Sequence, residues 1–173
     1  TEVLALDANG AALWLQERAS VALCAMQVGV CKKMLSITAA FTCEREQFGV
    51  AIGSFQAVQH RAADCFIDNQ CLKLTTYQAA SLLDEQATAS TEVLIAKIWA
   101  GDTGHRVSYA AQHLHGGTGI DKDYPLWRYC LWARQNEIVL GSSAMLTAAL
   151  GQQAALAANG QRLAGLAQPV ITQ

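Results

Sequence analysis

Charge is scarce in this sequence. Only 15% of its 173 residues are charged, and 12 basic against 14 acidic residues leave a formal net charge of −2. That balance removes the electrostatic case for binding nucleic acid or an anionic membrane. No continuous apolar run approaches the roughly 18 residues of a transmembrane span, and no signal-peptide pattern opens the sequence. The six cysteines (Cys24, Cys31, Cys43, Cys65, Cys71 and Cys130) include no C-x-x-C pair and no metal-ligand spacing. Most sit inside helical patterns and read as small buried hydrophobes in a reducing, cytoplasmic compartment. No run reads as a strand, an internal repeat or a linker.

What is present is apolar and helical. Hydrophobic residues make up 52% of the sequence, which excludes disorder and points to surface that a partner covers. The length fits one domain with a real core. Residues 1–10 read as an irregular lead-in with a turn over Asp7-Ala8-Asn9-Gly10. The first helix is predicted from about Ala11 to Thr42. Its two apolar stripes are Leu23, Met26, Val30, Met34, Ile37 and Phe41, and Val21, Cys24, Val28, Cys31 and Leu35; a helix apolar on two sides is central. Residues 43–54 read as a polar connection, with Ser54 as N-cap of a second helix. In that helix Phe55, Val58, Ala62, Cys65, Leu72, Ala79 and Leu83 keep a 3-4 spacing, interrupted by Asn69 and Thr76. A third helix starts near Ser90, and its seam of Val93, Ala96, Ala100, Gly104, Val107 and Ala111 is small enough for close packing. A fourth is predicted over Pro125–Val139 with the proline in its first turn, and an alanine-rich fifth from Leu140 to about Ala158. The fold expected is an all-α, up-and-down bundle of four to five long helices over residues 11–158, followed by a flexible tail over 159–173.

Two stretches can carry chemistry. After the third helix comes His113-Leu114-His115-Gly116-Gly117-Thr118-Gly119-Ile120, whose glycines let backbone approach a ligand and expose N–H groups. The plain alternative is a helix C-cap with a turn. In the connection after the first helix, Arg45 is a permanent cation with a planar fork for phosphate oxygens, and Phe48 is an aromatic face that core packing need not claim. Together they suit a nucleotide cofactor with a pyrophosphate. Metal or nucleophilic sites find little support. His113 and His115 stand two apart and diverge on a helix, His60 and His105 stand alone, and Ser142-Ser143 has no general base nearby in sequence.

Cys43-Glu44-Arg45-Glu46-Gln47-Phe48-Gly49 followed by Phe55-Gln56 resembles the R-x-Q-F-G…F-Q signature of flavin-dependent acyl-CoA dehydrogenases. His115-Gly116-Gly117-Thr118-Gly119-Ile120, then Asp123-Tyr124-Pro125-Leu126 and Arg128-Tyr129, resembles that family's second C-terminal signature, and the match spans roughly residues 11–151. The resemblance implies a C-terminal helical bundle, with a helical N-terminal domain and a β-rich middle domain preceding it, so that residues 1–10 read as the junction from the middle domain. It implies FAD at a subunit interface, held by Arg45 and Phe48 with Gln47 between them, by apolar contacts at Ile52 and Phe55, and by Gly116 and Gly117. Where the family usually has a glutamine, three residues before the first glycine, this sequence has His113, which can also donate a hydrogen bond.

The resemblance also locates catalysis. A glutamate in a Glu-Gly-Thr segment after the fourth helix removes the α-proton of an acyl-CoA thioester while the β-hydride goes to the flavin. Here the aligned residues are Leu140-Gly141-Ser142, and leucine accepts no proton. Other members carry the glutamate on the first helix, aligned to Ala19; the nearest acid, Glu17, lies about 200° around the helix from it. Ala144 stands where a polar flavin contact is common. The retained half serves a neighbour's flavin and the lost half serves the chain's own site, as in the glutamate-less subunits of heteromeric acyl-CoA dehydrogenases that act on steroid side chains. Three readings follow: a subunit completing a partner's FAD site, a homo-oligomeric dehydrogenase with Glu17 as a displaced base, or a non-catalytic helical assembly module. The expected partners are an acyl-CoA substrate and a like or homologous subunit, with no nucleic acid and no membrane.

Overall fold

The computed structural model describes residues 8–166, with side chains over 10–159. It contains five α-helices: α1 (Ala8–Glu44), α2 (Gln56–Asp84), α3 (Ser90–His115), α4 (Leu126–Ile138) and α5 (Ser143–Leu166). The small-residue seam expected in α3 is buried along its length, from Val93 through Ala96, Ala100, Gly104 and Val107 to Ala111. Small side chains let several helices approach at once, and α3 packs against all four others. It therefore takes the central place that the two stripes of α1 predict for α1. On α1 itself, Cys24, Val30, Cys31 and Met34 are buried, whereas Met26 is 48% exposed.

Chain direction follows from side-chain pairings. Glu17 meets Ser90 and Phe41 stacks on His115, so α1 and α3 run parallel. Arg61 near the start of α2 meets His113 near the end of α3, and Asn136 late in α4 meets Lys97 early in α3, so α2 and α4 run the other way. After α4 the chain does not turn back. The Ser143 hydroxyl donates to the Ile98 carbonyl at 3.2 Å, and Leu146 and Ala149 then lie beside Val93 and Leu94. The first four helices alternate, and α5 carries on in the direction of α4.

Two apolar clusters fill the bundle. One holds Val30, Cys31, Met34, Cys65, Val107, Leu126 and Cys130; the other holds Cys24, Leu72, Ala79, Val93, Ala96 and Ala100. Between them in sequence on three helices lie buried polar residues, Gln27 on α1, Asn69 on α2 and Thr103 on α3, and Asn136 on α4 is buried just past the first cluster. The Asn136 amide donates to Gln27 Oε1 at 2.9 Å, and the Gln27 amide donates to the Ala133 carbonyl at 3.4 Å. Gly104 makes room for this bridge, since a Cβ there would run into the Gln27 amide. Asn69 and Thr76, which interrupt the apolar pattern of α2, point inward with it; the Thr76 hydroxyl is satisfied by the Leu72 carbonyl at 2.7 Å.

The ends depart from the sequence reading in four places. Residues 8–10 are helical rather than a turn, and Asp7 lies outside the described residues, as does most of the expected junction over 1–10. The connection after α1 contains strands where none is predicted: β1 (Glu46–Gln47) and β2 (Val50–Ala51) pair antiparallel, followed by a 3-10 turn at Ile52–Ser54. Ser54 is not the N-cap of α2. Its hydroxyl donates to the Ala51 carbonyl at 2.7 Å inside the 3-10 turn, and Phe55 takes the cap position. The expected flexible tail begins inside a helix, since the α5 backbone continues to Leu166; residues 167–173 lie outside the described residues.

By length and composition α1 could cross a membrane, with a window of mean hydropathy 1.3. Buried Gln27, Thr38 and Thr42 and packing against α2, α3 and α4 mark it as a bundle helix. All six cysteines are free, and burial pushes the Cys24 and Cys31 thiols up to about 12 and those of Cys65 and Cys130 up to about 11. Such thiols stay protonated and inert.

Candidate functional site

The two candidate stretches meet at one end of the bundle, and a stack of rings joins them. Phe41, one turn before Arg45, lies flat on His115 with centroids 4.2 Å apart, and His115 immediately precedes Gly116. His115 is buried. Its Nδ1–H donates to the Ala111 carbonyl at 2.7 Å, and its Nε2 faces the Tyr124 hydroxyl at 3.4 Å. Tyr124, just ahead of α4, thus closes the stack from the third side.

From this base the hairpin projects. Arg45 N–H still bonds the Phe41 carbonyl, and Ile52 N–H returns to the Arg45 carbonyl at 2.8 Å, which closes the loop at its root. At the tip Phe48 and Gly49 have φ of +57° and +81°. Positive φ at both loop positions is the pattern of a type I′ turn, whose twist matches the strands it joins. A phenylalanine there costs about 1–2 kcal/mol against its preferred conformations. Its ring is 94% exposed, with only an edge contact to Phe55 at 6.3 Å. The Arg45 guanidinium forms no hydrogen bond or ion pair among the described residues. Ile52 is half-buried in the 3-10 turn. Gln47 turns back on itself, its amide donating to the Glu46 carbonyl at 2.7 Å.

The glycine stretch is more ordered than an open turn. Residues Gly116–Ile120 form a 3-10 helix, and Gly116 leaves α3 with φ +58°. A Cβ on Gly116 or Gly117 would meet nothing within 4 Å, so this backbone faces open space. His113, one turn back, is exposed and hydrogen-bonded to Arg61. Among the described residues the Arg45 guanidinium has no hydrogen-bond or ion-pair partner, and with the exposed aromatic and the bare glycine backbone at the same end it offers the donor types that would suit a pyrophosphate and an adenosine.

The positions that the family resemblance ties to proton abstraction lie elsewhere. Leu140 sits in the turn from α4 to α5 with φ +60°. That turn is pinned by Lys97, whose ammonium donates to the carbonyls of Asn136 (3.0 Å), Glu137 (3.4 Å) and Gly141 (3.1 Å). Lys97 is 18 residues before His115 on one continuous helix, so the Leu140 turn is roughly 27 Å from the glycine stretch along α3. Glu17 does not lie idle on the far face of α1. It accepts a hydrogen bond from the Ser90 hydroxyl and lines, with Leu140, Lys97 and Leu146, a cavity of about 250 Å³. Ala144 is exposed, and Ser143 is committed to the Ile98 carbonyl. His60 is exposed, and His105 joins Arg134 and Glu137 at the surface. Among the described residues no group of three potential ligands could hold a metal ion.

Lys97 escaped the sequence reading although the signal was there: it falls on the 4-3 spacing of Val93, Ala100, Gly104 and Val107. Arg61 had no such signal, because its partner lies 52 residues away.

Burial holds the His115 pKa below its usual 6.5. The folded chain then keeps this ring neutral where the unfolded chain takes up a proton. Stability from this group is complete above about pH 6.5 and is lost as pH falls from there through the lower folded value. The thermal midpoint should therefore drop between pH 7 and pH 5.5, and His115→Gln should flatten that part of the profile. An unchanged slope in the variant would assign the acid sensitivity to other groups.

Residues 12–155 match the acyl-CoA dehydrogenase C-terminal domain. The acyl-CoA dehydrogenase FadE27 of Mycobacterium tuberculosis is 41% identical over 152 residues, covering 83% of this chain and 41% of the relative. Among solved structures, the ChsE4-ChsE5 complex of Mycobacterium tuberculosis superposes with a TM-score of 0.81 at 40% identity, over 87% of this chain and 43% of that one. A steroid acyl-CoA dehydrogenase, Tcur3481-Tcur3483, gives 0.82 at 42% identity, over 84% and 40%. The chain thus spans about two-fifths of the length of these relatives. With residues 12–155 matched to the family's C-terminal domain and a relative 41% identical over most of its length, this chain belongs to the FAD-dependent acyl-CoA dehydrogenase family, as its C-terminal helical domain.

Proposed function

We propose that this chain is the C-terminal bundle of one subunit of a heteromeric acyl-CoA dehydrogenase, which completes a partner's FAD site and leaves proton abstraction to the partner's glutamate. The observation that carries this reading is the separation of the two halves. Arg45, Phe48, Gly116 and Gly117 share one end, unpartnered and facing outward, while the base position, roughly 27 Å away along α3, holds Leu140. The similarity to a ChsE4-ChsE5 complex and to a steroid acyl-CoA dehydrogenase supports a heteromeric enzyme acting on a steroid side-chain thioester.

When bound, FAD would accept the hydride leaving the β-carbon of the acyl-CoA. The residues of this chain would do the holding: Arg45 through its fork to pyrophosphate oxygens, Phe48 by covering an apolar face, and Gly116-Gly117 by admitting the ligand to the backbone. The α-proton would go to a carboxylate. Leu140 offers none, and the Glu17 carboxylate is engaged by Ser90. The free, largely buried thiols support a reducing, cytoplasmic setting.

One observation favours a second reading, in which Glu17 is a displaced base: it lines the same cavity as Leu140. The two are separated by acyl-CoA turnover with a dye acceptor in the full-length protein paired with its natural partner. Glu17→Gln should leave turnover nearly unchanged, whereas removing the glutamate of the partner should abolish it. The reverse pattern would establish Glu17 as the base and end the first reading.

A further inference from the structure

We infer that Arg61 dictates which nitrogen of His113 carries the proton, and thereby makes His113 a hydrogen-bond donor toward a bound FAD; this rests on the flavin-lending role proposed above. Arg61 Nη1 lies 2.7 Å from His113 Nδ1. A guanidinium has only donors and never gives up its charge, so Nδ1 must accept. The single proton of the neutral imidazole is then on Nε2, the nitrogen directed away from Arg61.

Tyr109 steadies the pair. It lies one turn before His113 on α3, its ring nearly parallel to the imidazole at 6.4 Å and 16°, while the Arg61 guanidinium sits over the same ring at 5.6 Å. The clamp spans two helices, α2 and α3, at the end where the hairpin and glycine stretch meet.

His115 supplies the contrast. Two residues further on, its Nδ1 donates to the Ala111 carbonyl, so it adopts the opposite tautomer. Donor or acceptor is therefore decided at each ring by the neighbour, a carbonyl in one case and a guanidinium in the other. A glutamine amide can donate with no such help. A neutral histidine holds its proton on one defined nitrogen when a donor occupies the other, and Arg61 is that donor. Arg61 is thus a positioning residue that acts through His113.

The tautomer can be read directly. In the chain labelled with ¹⁵N-histidine, long-range ¹H–¹⁵N correlations at neutral pH should show His113 protonated on Nε2 and His115 on Nδ1. Arg61→Met should return His113 to a mixture and leave His115 unchanged. Finding His113 protonated on Nδ1 in the unsubstituted chain overturns the inference. The second arm is titration of FAD onto the flavin-stripped, assembled enzyme. Arg61→Met should weaken binding about threefold to tenfold, the worth of one hydrogen bond, and should have no further effect once His113 is replaced by glutamine. Equal weakening in both backgrounds would make Arg61 a direct cation for the ligand; it would overturn the inference while leaving the flavin-lending reading intact. If neither Arg61→Met nor Arg45→Ala changes FAD retention, that reading itself fails and takes the inference with it, whatever the tautomer.

Discussion

Arg45→Ala is expected to raise the dissociation constant for FAD about tenfold to a hundredfold in the assembled enzyme. The guanidinium is a charge-assisted donor to a pyrophosphate, a contact worth roughly 1.5–3 kcal/mol. Among the described residues the Arg45 side chain forms no hydrogen bond or ion pair, and the hairpin root is closed by backbone groups, Arg45 N–H to Phe41 and Ile52 N–H to Arg45. The thermal midpoint of the chain should therefore stay where it is while flavin occupancy falls. Loss of folding together with flavin would show that the arginine supports the hairpin instead. Unchanged occupancy would remove it from the flavin site.

The largest effect on stability is expected at Lys97. Only 2% of this residue is exposed, yet its ammonium faces three backbone carbonyls at the end of α4 and the turn after it, and among the described residues no carboxylate within hydrogen-bonding distance. Burial lowers its pKa, which records how poorly the site solvates the charge. Lys97→Ala removes the packed stem and the three donated bonds together, so a loss of about 2–5 kcal/mol is expected, as for other large-to-small core changes. Lys97→Met keeps the stem and relieves the cost of burying an ammonium, and should lose only about 1–2 kcal/mol. Chemical denaturation of the three proteins measures both. Equal losses in the two variants would mean that the hydrogen bonds, not the packing, hold this turn.

How far the sequence speaks depends on how far each signal reaches along the chain. The α3 seam was legible because small residues at 3-4 spacing over more than five turns leave one interpretation. The hairpin was not: two-residue strands are too short to alternate, and the signal for a tight loop is usually Asn-Gly or Asp-Gly, not Phe48-Gly49. The fifth helix was placed, but its alanine-rich pattern could not give its end or its direction, which depend on Ser143 reaching Ile98. Asn69 and Thr76 interrupt the apolar stripe of α2 in sequence, yet both are buried along with it, which the polarity of a side chain alone does not reveal. At the site, Arg45, Phe48, Gly116 and Gly117 stood out as a motif, while the contact that unites them, Phe41 on His115, joins positions 74 residues apart. Long-range pairings such as Arg61 with His113 leave no local trace.

Phe48 holds a consequence for how this sequence can drift. A bulky residue at φ +57°, with 94% of its surface in solvent, makes its own chain less stable than glycine or asparagine would at the same place. Selection for a well-folded, abundant chain therefore pulls this position toward the small residues, and selection for whatever meets the ring pulls it back. A library screened only for soluble expression should lose the phenylalanine early; one screened for growth on the substrate should retain it. The tip of a two-residue loop thus sets two kinds of fitness against each other at a single codon, and the residue found there reports which has been the stronger.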